Sequence, residues 1–195
     1  MHDHYYTVNP TSAHDLRRVK FTVLGNELMF DTDAGVFSRD GLDEGSRILM
    51  EALPDLHGRV LDLGCGWGAV GASIKKRWPE IDLVMTDVNQ RAADLSAANL
   101  ALNGLSASVF QGDGFENVPG TFDFVITNPP IRAGKQAIYA MFADAHARLN
   151  PSGRLYIVIR KQQGAPSALK YLRGLFAEAE VIEREAGFWV IESRT

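Results

Sequence analysis

Apolar and polar positions in this chain change period several times, and those changes delimit its elements. Apolar residues alternate with polar ones through Arg18-Val19-Lys20-Phe21-Thr22-Val23-Leu24 and again through Glu27-Leu28-Met29-Phe30, on either side of Gly25-Asn26. That pattern predicts a β-hairpin turning at Gly25-Asn26. Leu42, Ile48, Leu49 and Leu53 then fall on one face of a predicted helix over 43–53, with Pro54 beyond it. From Arg59 onward short apolar runs alternate with helical periods. Strands are predicted at 60–63, 82–86, 106–111, 122–127 and 155–159, and helices at 69–77, 90–103, 136–149 and 167–177. Ile138, Met141, Phe142, Ala145 and Leu149 sit at helical spacing in the third of those helices, and Asn150-Pro151-Ser152-Gly153 breaks it. Two short strands, 180–183 and 187–192, flank an Ala186-Gly187 corner that suits an antiparallel pair. The alternation predicts an α/β fold: a doubly wound, mostly parallel, seven-stranded sheet with a small N-terminal hairpin and helix extension.

Composition narrows the class without changing that picture. The chain has 195 residues, 46 % hydrophobic and 23 % charged, with no repeat or linker, which fits one well-buried α/β domain. No run approaches the roughly 18 apolar residues of a membrane span, so no membrane is expected. Met1-His2-Asp3-His4 carries no apolar signal region. The single cysteine, Cys65, forms no intramolecular disulfide and fits a reducing cytosol, so a cytoplasmic location is expected. The formal charge of −4 is unevenly spread. Between Asn128 and Arg173 stand Arg132, Lys135, Arg148, Arg154, Arg160, Lys161, Lys170 and Arg173 against one acid, Asp144. A face built from this third could meet phosphates while the remainder stays acidic. Arg132, Lys135, Arg160 and Lys161 carry most of that expectation because they lie just past predicted strand ends; Arg148, Lys170 and Arg173 read equally well as solvated helix faces.

Candidate chemistry gathers at the predicted carboxyl ends of strands. Leu61-Asp62-Leu63-Gly64-Cys65-Gly66-Trp67-Gly68 runs from a strand into a glycine-rich turn before a helix, and Asp87 ends the next strand 25 positions beyond Asp62. Glycines allow a tight turn and a close backbone approach, and an acid in the second position can accept from a ribose diol. The turn satisfies G-x-G-x-x-A, so a dinucleotide is considered; Asp62, two residues before the first glycine, would repel a pyrophosphate but suits a cationic amino group. Asn128-Pro129-Pro130 directly follows Phe122-Asp123-Phe124-Val125-Ile126-Thr127. Two prolines must end the strand, which holds Asn128 on a rigid corner. Its side-chain oxygen and the Pro129 main-chain oxygen are then two converging acceptors, suited to an NH2 group. His14, His57 and His146 have no ligand spacing, His2 and His4 read as surface residues, and no metal is expected. Cys65 reads as a small packed residue and Trp67 as packed behind the loop.

On these residues the chain resembles the class I S-adenosylmethionine-dependent methyltransferases. The resemblance rests on the Asp62–Gly68 segment, Asp87, Gln111-Gly112-Asp113-Gly114 and Asn128-Pro129-Pro130-Ile131. More narrowly it is similar to the small-subunit ribosomal RNA guanine-N2 methyltransferase family, through His4-Tyr5-Tyr6, Gly35-Val36-Phe37-Ser38, Asp43-Glu44-Gly45-Ser46 and Arg160-Lys161-Gln162-Gln163-Gly164-Ala165. The resemblance implies a Rossmann-like methyltransferase domain over 1–195, with 1–54 as a hairpin and helix cap and 55–195 as the cofactor-binding catalytic core. It implies S-adenosyl-L-methionine as cofactor. Asp62, Gly64, Gly66 and Gly68 would hold its amino acid moiety, Asp87 with Val88 its ribose, and Asp113 with Gly114 its adenine. Phe37 and Ser38 would close over the methionine end, and Asn128 would touch both cofactor and substrate. Asn128 and Pro129 are the catalytic pair; Pro130, Ile131, Arg132, Lys135, Arg160 and Lys161 are the substrate contacts. The implied partner is ribosomal RNA or the small ribosomal subunit, and a chain this small could pair as a homodimer to widen its RNA surface. Ile131 stands where many amine methyltransferases carry an aromatic residue, and Phe37 is the candidate ring to complete a base sandwich. The family's extra degenerate N-terminal domain is expected to be absent.

Two other functions fit parts of the pattern. Release-factor glutamine methyltransferases share Asn-Pro-Pro but usually follow it with tyrosine. A non-catalytic cofactor-binding subunit would not need Asn128, Pro129, Asp62 and Asp87 together. Pyrimidine C5 methylation needs a cysteine nucleophile and is rejected, since Cys65 lies in the cofactor turn.

Overall fold

The computed structural model describes residues 8–10 and 12–195, so the expectations on His2, His4, Tyr5 and Tyr6 fall outside the described residues. Strands β1 (Arg17–Val23) and β2 (Asn26–Thr32) form the N-terminal hairpin. Its turn lies one residue earlier than predicted: Val23 pairs with Asn26, and Leu24 and Gly25 both take positive φ, 51° and 74°. A two-residue turn with two left-handed residues matches the strand twist. Asn26 supports it from the strand, its side-chain amide donating to the Leu24 carbonyl at 3.0 Å. Helix α1 (Glu44–Glu51) follows, capped by Asp43.

The remaining chain alternates as its periodicity requires: β3 (Arg59–Leu63), α2 (Ala69–Arg77), β4 (Asp82–Asp87), α3 (Gln90–Leu102), β5 (Ser108–Gln111), β6 (Phe122–Thr127), α4 (Lys135–Ala147), β7 (Leu149–Arg160), α5 (Ala165–Leu175), β8 (Glu178–Glu185) and β9 (Phe188–Arg194). Seven strands make one sheet in the order β5-β4-β3-β6-β7-β9-β8, parallel through β7 and antiparallel at β9. The central strands are apolar on both faces because both are covered. Val60, Met85, Ile126 and Tyr156 pack on one side with α1, α2 and α3 residues such as Leu49, Ile74 and Leu95. Leu61, Val84, Val125 and Ile157 pack on the other with Phe142 of α4 and Leu172 of α5. Neighbouring residues thus enter opposite layers, as a period of two dictates.

Some departures from the sequence expectation have a local reason. Leu149 is not the end of α4: it opens β7, pairing with Phe122, and the strand passes through Asn150-Pro151-Ser152-Gly153 as an irregularity in register. Asn150 holds that stretch to the sheet, donating to Asp123 at 2.8 Å and accepting from Thr121 at 2.5 Å. The Asn-Pro-Ser-Gly breaker therefore interrupts the register inside β7 rather than separating α4 from a later strand. Helix α5 begins at Ala165 because Gly164 takes φ 111° ahead of it and Pro166 suits a first turn. Strands β8 and β9 are longer than predicted around the Ala186-Gly187 corner, where both residues take positive φ. Among the described residues no helix is long and apolar enough to cross a membrane.

The hairpin docks on α3 through two asparagines that act as a substitute strand. Asn99 accepts from Asp31 N–H at 2.7 Å and donates to Asp31 O at 2.8 Å and Trp67 O at 2.7 Å. Asn103 makes the same pair with Met29, at 3.1 and 2.7 Å. Asn99 is fully buried. Asn99→Ala should therefore lower stability by about 2–3 kcal/mol, since it strands buried backbone groups. Thermal unfolding should fall by about 5–10 °C for a chain of this size; a shift under about 2 °C would show that water replaces the amide without cost.

Candidate active site

Among the five parallel strands β3 is central, with β4 and β5 built to one side and β6 and β7 to the other. The strand order reverses between β3 and β6, and in open α/β sheets ligands bind at the carboxyl ends beside such a reversal. A cavity of about 830 Å³ opens there. Its floor is the Gly64–Gly68 turn, which Gly64 and Cys65 pin to β4 by donating to Thr86 O at 2.9 and 3.0 Å. Gly64 and Gly66 take φ 76° and 56°, and a Cβ added at either would meet only open space. The turn therefore presents bare backbone to the cavity. Gly68, at φ 95°, hands the chain into α2.

Two carboxylates sit under this turn. Asp62 is 3 % exposed, and one oxygen accepts from Gly71 N–H of α2 at 2.8 Å. Burial raises its pKa to about 7, offset in part by the Gly71 hydrogen bond and reinforced by the charge of Asp87. Asp87 accepts from Gly66 N–H at 2.8 Å and Asn89 N–H at 2.9 Å, yet burial still lifts its pKa above the ordinary range. Two acids held uphill in one cavity wall favour a cationic guest. Thr86, also in the wall, has a buried hydroxyl with no partner among the described residues. Cys65 is buried against Ser96 at 3.3 Å, and burial with the charges of Asp87 and Asp62 pushes its thiol pKa well up, so it is a packed residue rather than a nucleophile.

On the neighbouring strand, Asn128 stands just past the end of β6 as predicted. Its side-chain nitrogen donates to Asp43 Oδ2 and to Ser46 Oγ, both at 3.0 Å. Both amide hydrogens are thus engaged, which leaves the side-chain oxygen as the acceptor for the cavity. Pro129, Pro130, Ile131 and Arg132 continue that wall. Phe37 and Ser38 also line the cavity. Trp67 holds the Phe37 carbonyl through its indole N–H at 2.8 Å while its ring packs edge-on against Phe30. The Ser38 hydroxyl is turned back onto Gly41 O at 2.6 Å. Arg160 lies over the Phe188 ring at 4.2 Å, and both line the cavity.

Of the sequence-derived candidates, Asp62, Gly64, Gly66, Asp87, Val88, Asp113, Gly114, Phe37, Ser38, Asn128, Pro129, Pro130, Ile131, Arg132 and Arg160 line this one cavity. Gly68 does not; it caps α2 with its missing Cβ against Ser96. Lys135 and Lys161 lie outside it too. Lys135 opens a second groove with Tyr139, Lys170 and Tyr171, because it shares a face of α4 with Tyr139 while Ala137, Ala140, Met141 and Asp144 of the same helix line the cavity. Arg148 and Arg173 are tied to carbonyls of Gly120 and Ala179 and serve the fold. Sequence reasoning missed Phe188, which reaches the site only through the pairing of β9 with β7, and missed the contact of Asp43 and Ser46 with Asn128, although their spacing is visible as a helix cap.

Residues 27–192 match the family model for the methyltransferase small domain. An uncharacterized protein of Bacillus subtilis, YbxB, is 39 % identical over the whole chain and 99 % of its own length. The ribosomal RNA small subunit methyltransferase C of Vibrio vulnificus is 40 % identical over 80 % of this chain and 45 % of its own. A T. thermophilus 16S rRNA N2 methyltransferase, solved with AdoMet and guanosine, superposes with a TM-score of 0.85 at 26 % identity, covering 95 % of this chain and 52 % of that one. The chain thus spans about half the length of the curated ribosomal RNA methyltransferases it matches. By fold, motif order and full-length similarity the chain belongs to the methyltransferase small domain family of class I S-adenosylmethionine-dependent methyltransferases.

Proposed function

We propose that this chain methylates the exocyclic N2 amine of a guanine in small-subunit ribosomal RNA. The anchored Asn128 amide carries the reading: an oxygen fixed at a strand end, beside the Pro129 carbonyl, offers two acceptors to one NH2 group. A guanine amine is a poor nucleophile because its lone pair is delocalised into the ring. Accepting both of its hydrogens favours the pyramidal nitrogen that attacks. S-adenosylmethionine supplies a methyl already activated by its sulfonium, so the protein contributes position and electrostatics. The residues fit that cofactor. Asp62 suits its ammonium group and Asp87 its ribose hydroxyls, while Asp113 suits the adenine amine and the bare Gly64–Gly66 backbone admits the chain between them.

Ile131, Phe37 and Phe188 supply apolar walls for the base, and the described part of 1–54 serves as the cap over it. Arg132 and Arg160 stand at the rim for phosphates, with Lys135 and Lys161 on the outer surface. Homologues named for ribosomal RNA support the substrate class. Arg132→Glu should weaken RNA binding, with the effect shrinking as salt rises and the salt slope falling by about one counterion or more. A loss independent of salt would indicate misfolding instead.

The test is transfer from labelled S-adenosylmethionine to small subunits, naked ribosomal RNA, transfer RNA and release factor, each from cells lacking the enzyme. Labelled N2-methylguanosine from the small-subunit or ribosomal RNA pool is expected. Label confined to release factor would move the chemistry to a glutamine amide. Cofactor binding with no labelled pool would favour the partner-subunit alternative.

A further inference from the structure

We propose that Asp43 is a positioning residue for methyl transfer, acting through Asn128, and that α1 is capped where it is in order to aim that amide. The proposal rests on the reading of Asn128 as the amine acceptor. Asp43 Oδ2 accepts from Ser46 N–H at 2.9 Å, which is all that an N-cap requires. The same oxygen also accepts from Asn128 across 85 positions of sequence, and Ser46 Oγ takes the second contact from the same nitrogen.

An asparagine amide can face either way, and here the choice is made by charge. Flipping it would remove a hydrogen bond to an anion and bring two acceptor oxygens together. Donation to a carboxylate also polarises the amide, which makes its oxygen a stronger acceptor for the substrate NH2. Gly45 lets this cap sit close: a Cβ there would lie 2.8 Å from the Phe188 ring and 3.1 Å from Asp43 Oδ2. The start of α1 is therefore wedged between the catalytic corner and an aromatic wall of the same cavity. This accounts for Asp43-Glu44-Gly45-Ser46, whose motif the cofactor and substrate contacts leave unused.

Asp43→Ser separates the two roles, because serine caps a helix about as well as aspartate but is too short to hold Asn128. In this variant kcat is expected to fall by about 10–100-fold, the usual scale for loss of a group that orients an active residue. S-adenosylmethionine affinity and the unfolding temperature should remain near wild type. In an Asn128→Ala background, Asp43→Ser should cost nothing further, since the residue it acts through is gone. Wild-type kcat in Asp43→Ser, or losses that multiply in the double variant, would overturn the proposal. A second readout needs no substrate. The Asn128 side-chain amide resonances, identified by their disappearance in Asn128→Ala, should shift in Asp43→Ser while those of Asn99 stay in place; unmoved Asn128 resonances would also overturn it. Were the wild-type enzyme to label no RNA, the functional reading would fail while this second readout still decided the clamp.

Discussion

Asn128→Ala is expected to lower turnover by about 10²–10³-fold, the scale for one preorganised hydrogen bond that strengthens in the transition state. Affinity for S-adenosylmethionine should barely change, because the proposed ammonium, ribose and adenine contacts are made by other residues, Asp62, Asp87 and Asp113. The loss belongs in kcat rather than in KM: both acceptors act on hydrogens whose acidity rises only as the nitrogen attacks. Asn128→Asp sharpens the result. It sets a second carboxylate against Asp43, 3.0 Å from the oxygen that now accepts from Asn128, so it should lose thermal stability as well as rate. Single-turnover rates on undermethylated small subunits, beside cofactor binding followed by tryptophan fluorescence, measure both quantities. Unchanged single-turnover rates in Asn128→Ala would remove this residue from the chemistry.

What the sequence disclosed and what it concealed divide along physical lines. Signals confined to a few neighbouring residues were legible. Two prolines end β6 at Thr127, and the glycine turn starts α2 at Ala69, because each constrains its own backbone. Reading carboxyl ends as ligand positions also gathered Asp62, Asp87, Asp113 and Asn128 in one cavity, since a parallel sheet puts all those ends on one edge. Errors arose where partner strands decide. Leu149 has helical spacing from Ala145, yet pairing with Phe122 and the grip of Asn150 on Asp123 make it a strand residue. Phe188 enters the site through strand pairing and Asp43 through a contact 85 positions away, which no local pattern records. Proximity to strand ends does not fix which side of a helix a lysine takes: Lys135 and Lys161 lie outside the cavity while Ala137 and Gln163, on the same elements, line it.

Asp62→Asn is expected to stabilise the ligand-free protein and to weaken S-adenosylmethionine binding by about 10²-fold, two effects with one cause. The folded protein holds this carboxyl at about 7, against 3.8 for an ordinary aspartate. Between those values the folded state binds the extra proton, so this group's contribution is most favourable below the lower value. It is lost progressively as pH rises towards the upper one. Above pH 7 the cost is on the order of 4 kcal/mol, since every tenfold difference in proton affinity between the folded and unfolded chain is worth about 1.4 kcal/mol. Asparagine keeps the acceptor for Gly71 N–H without the buried charge, so at pH 8 the variant should unfold at a higher temperature than wild type, and at pH 4 the two should converge. A bound ammonium reverses the balance by favouring the ionised carboxylate. Wild-type affinity should therefore rise up to tenfold per pH unit below about 7, then fall once the cofactor's amino group deprotonates near pH 8. Asp62→Asn should lose the acid limb and flatten the alkaline one, since the same carboxylate favours the ammonium over the free amine. Calorimetric titration of both proteins from pH 5.5 to 9 separates the limbs; an acid limb that survives in the variant would assign the ammonium to another group, with Asp87, raised by the same burial, the next to replace.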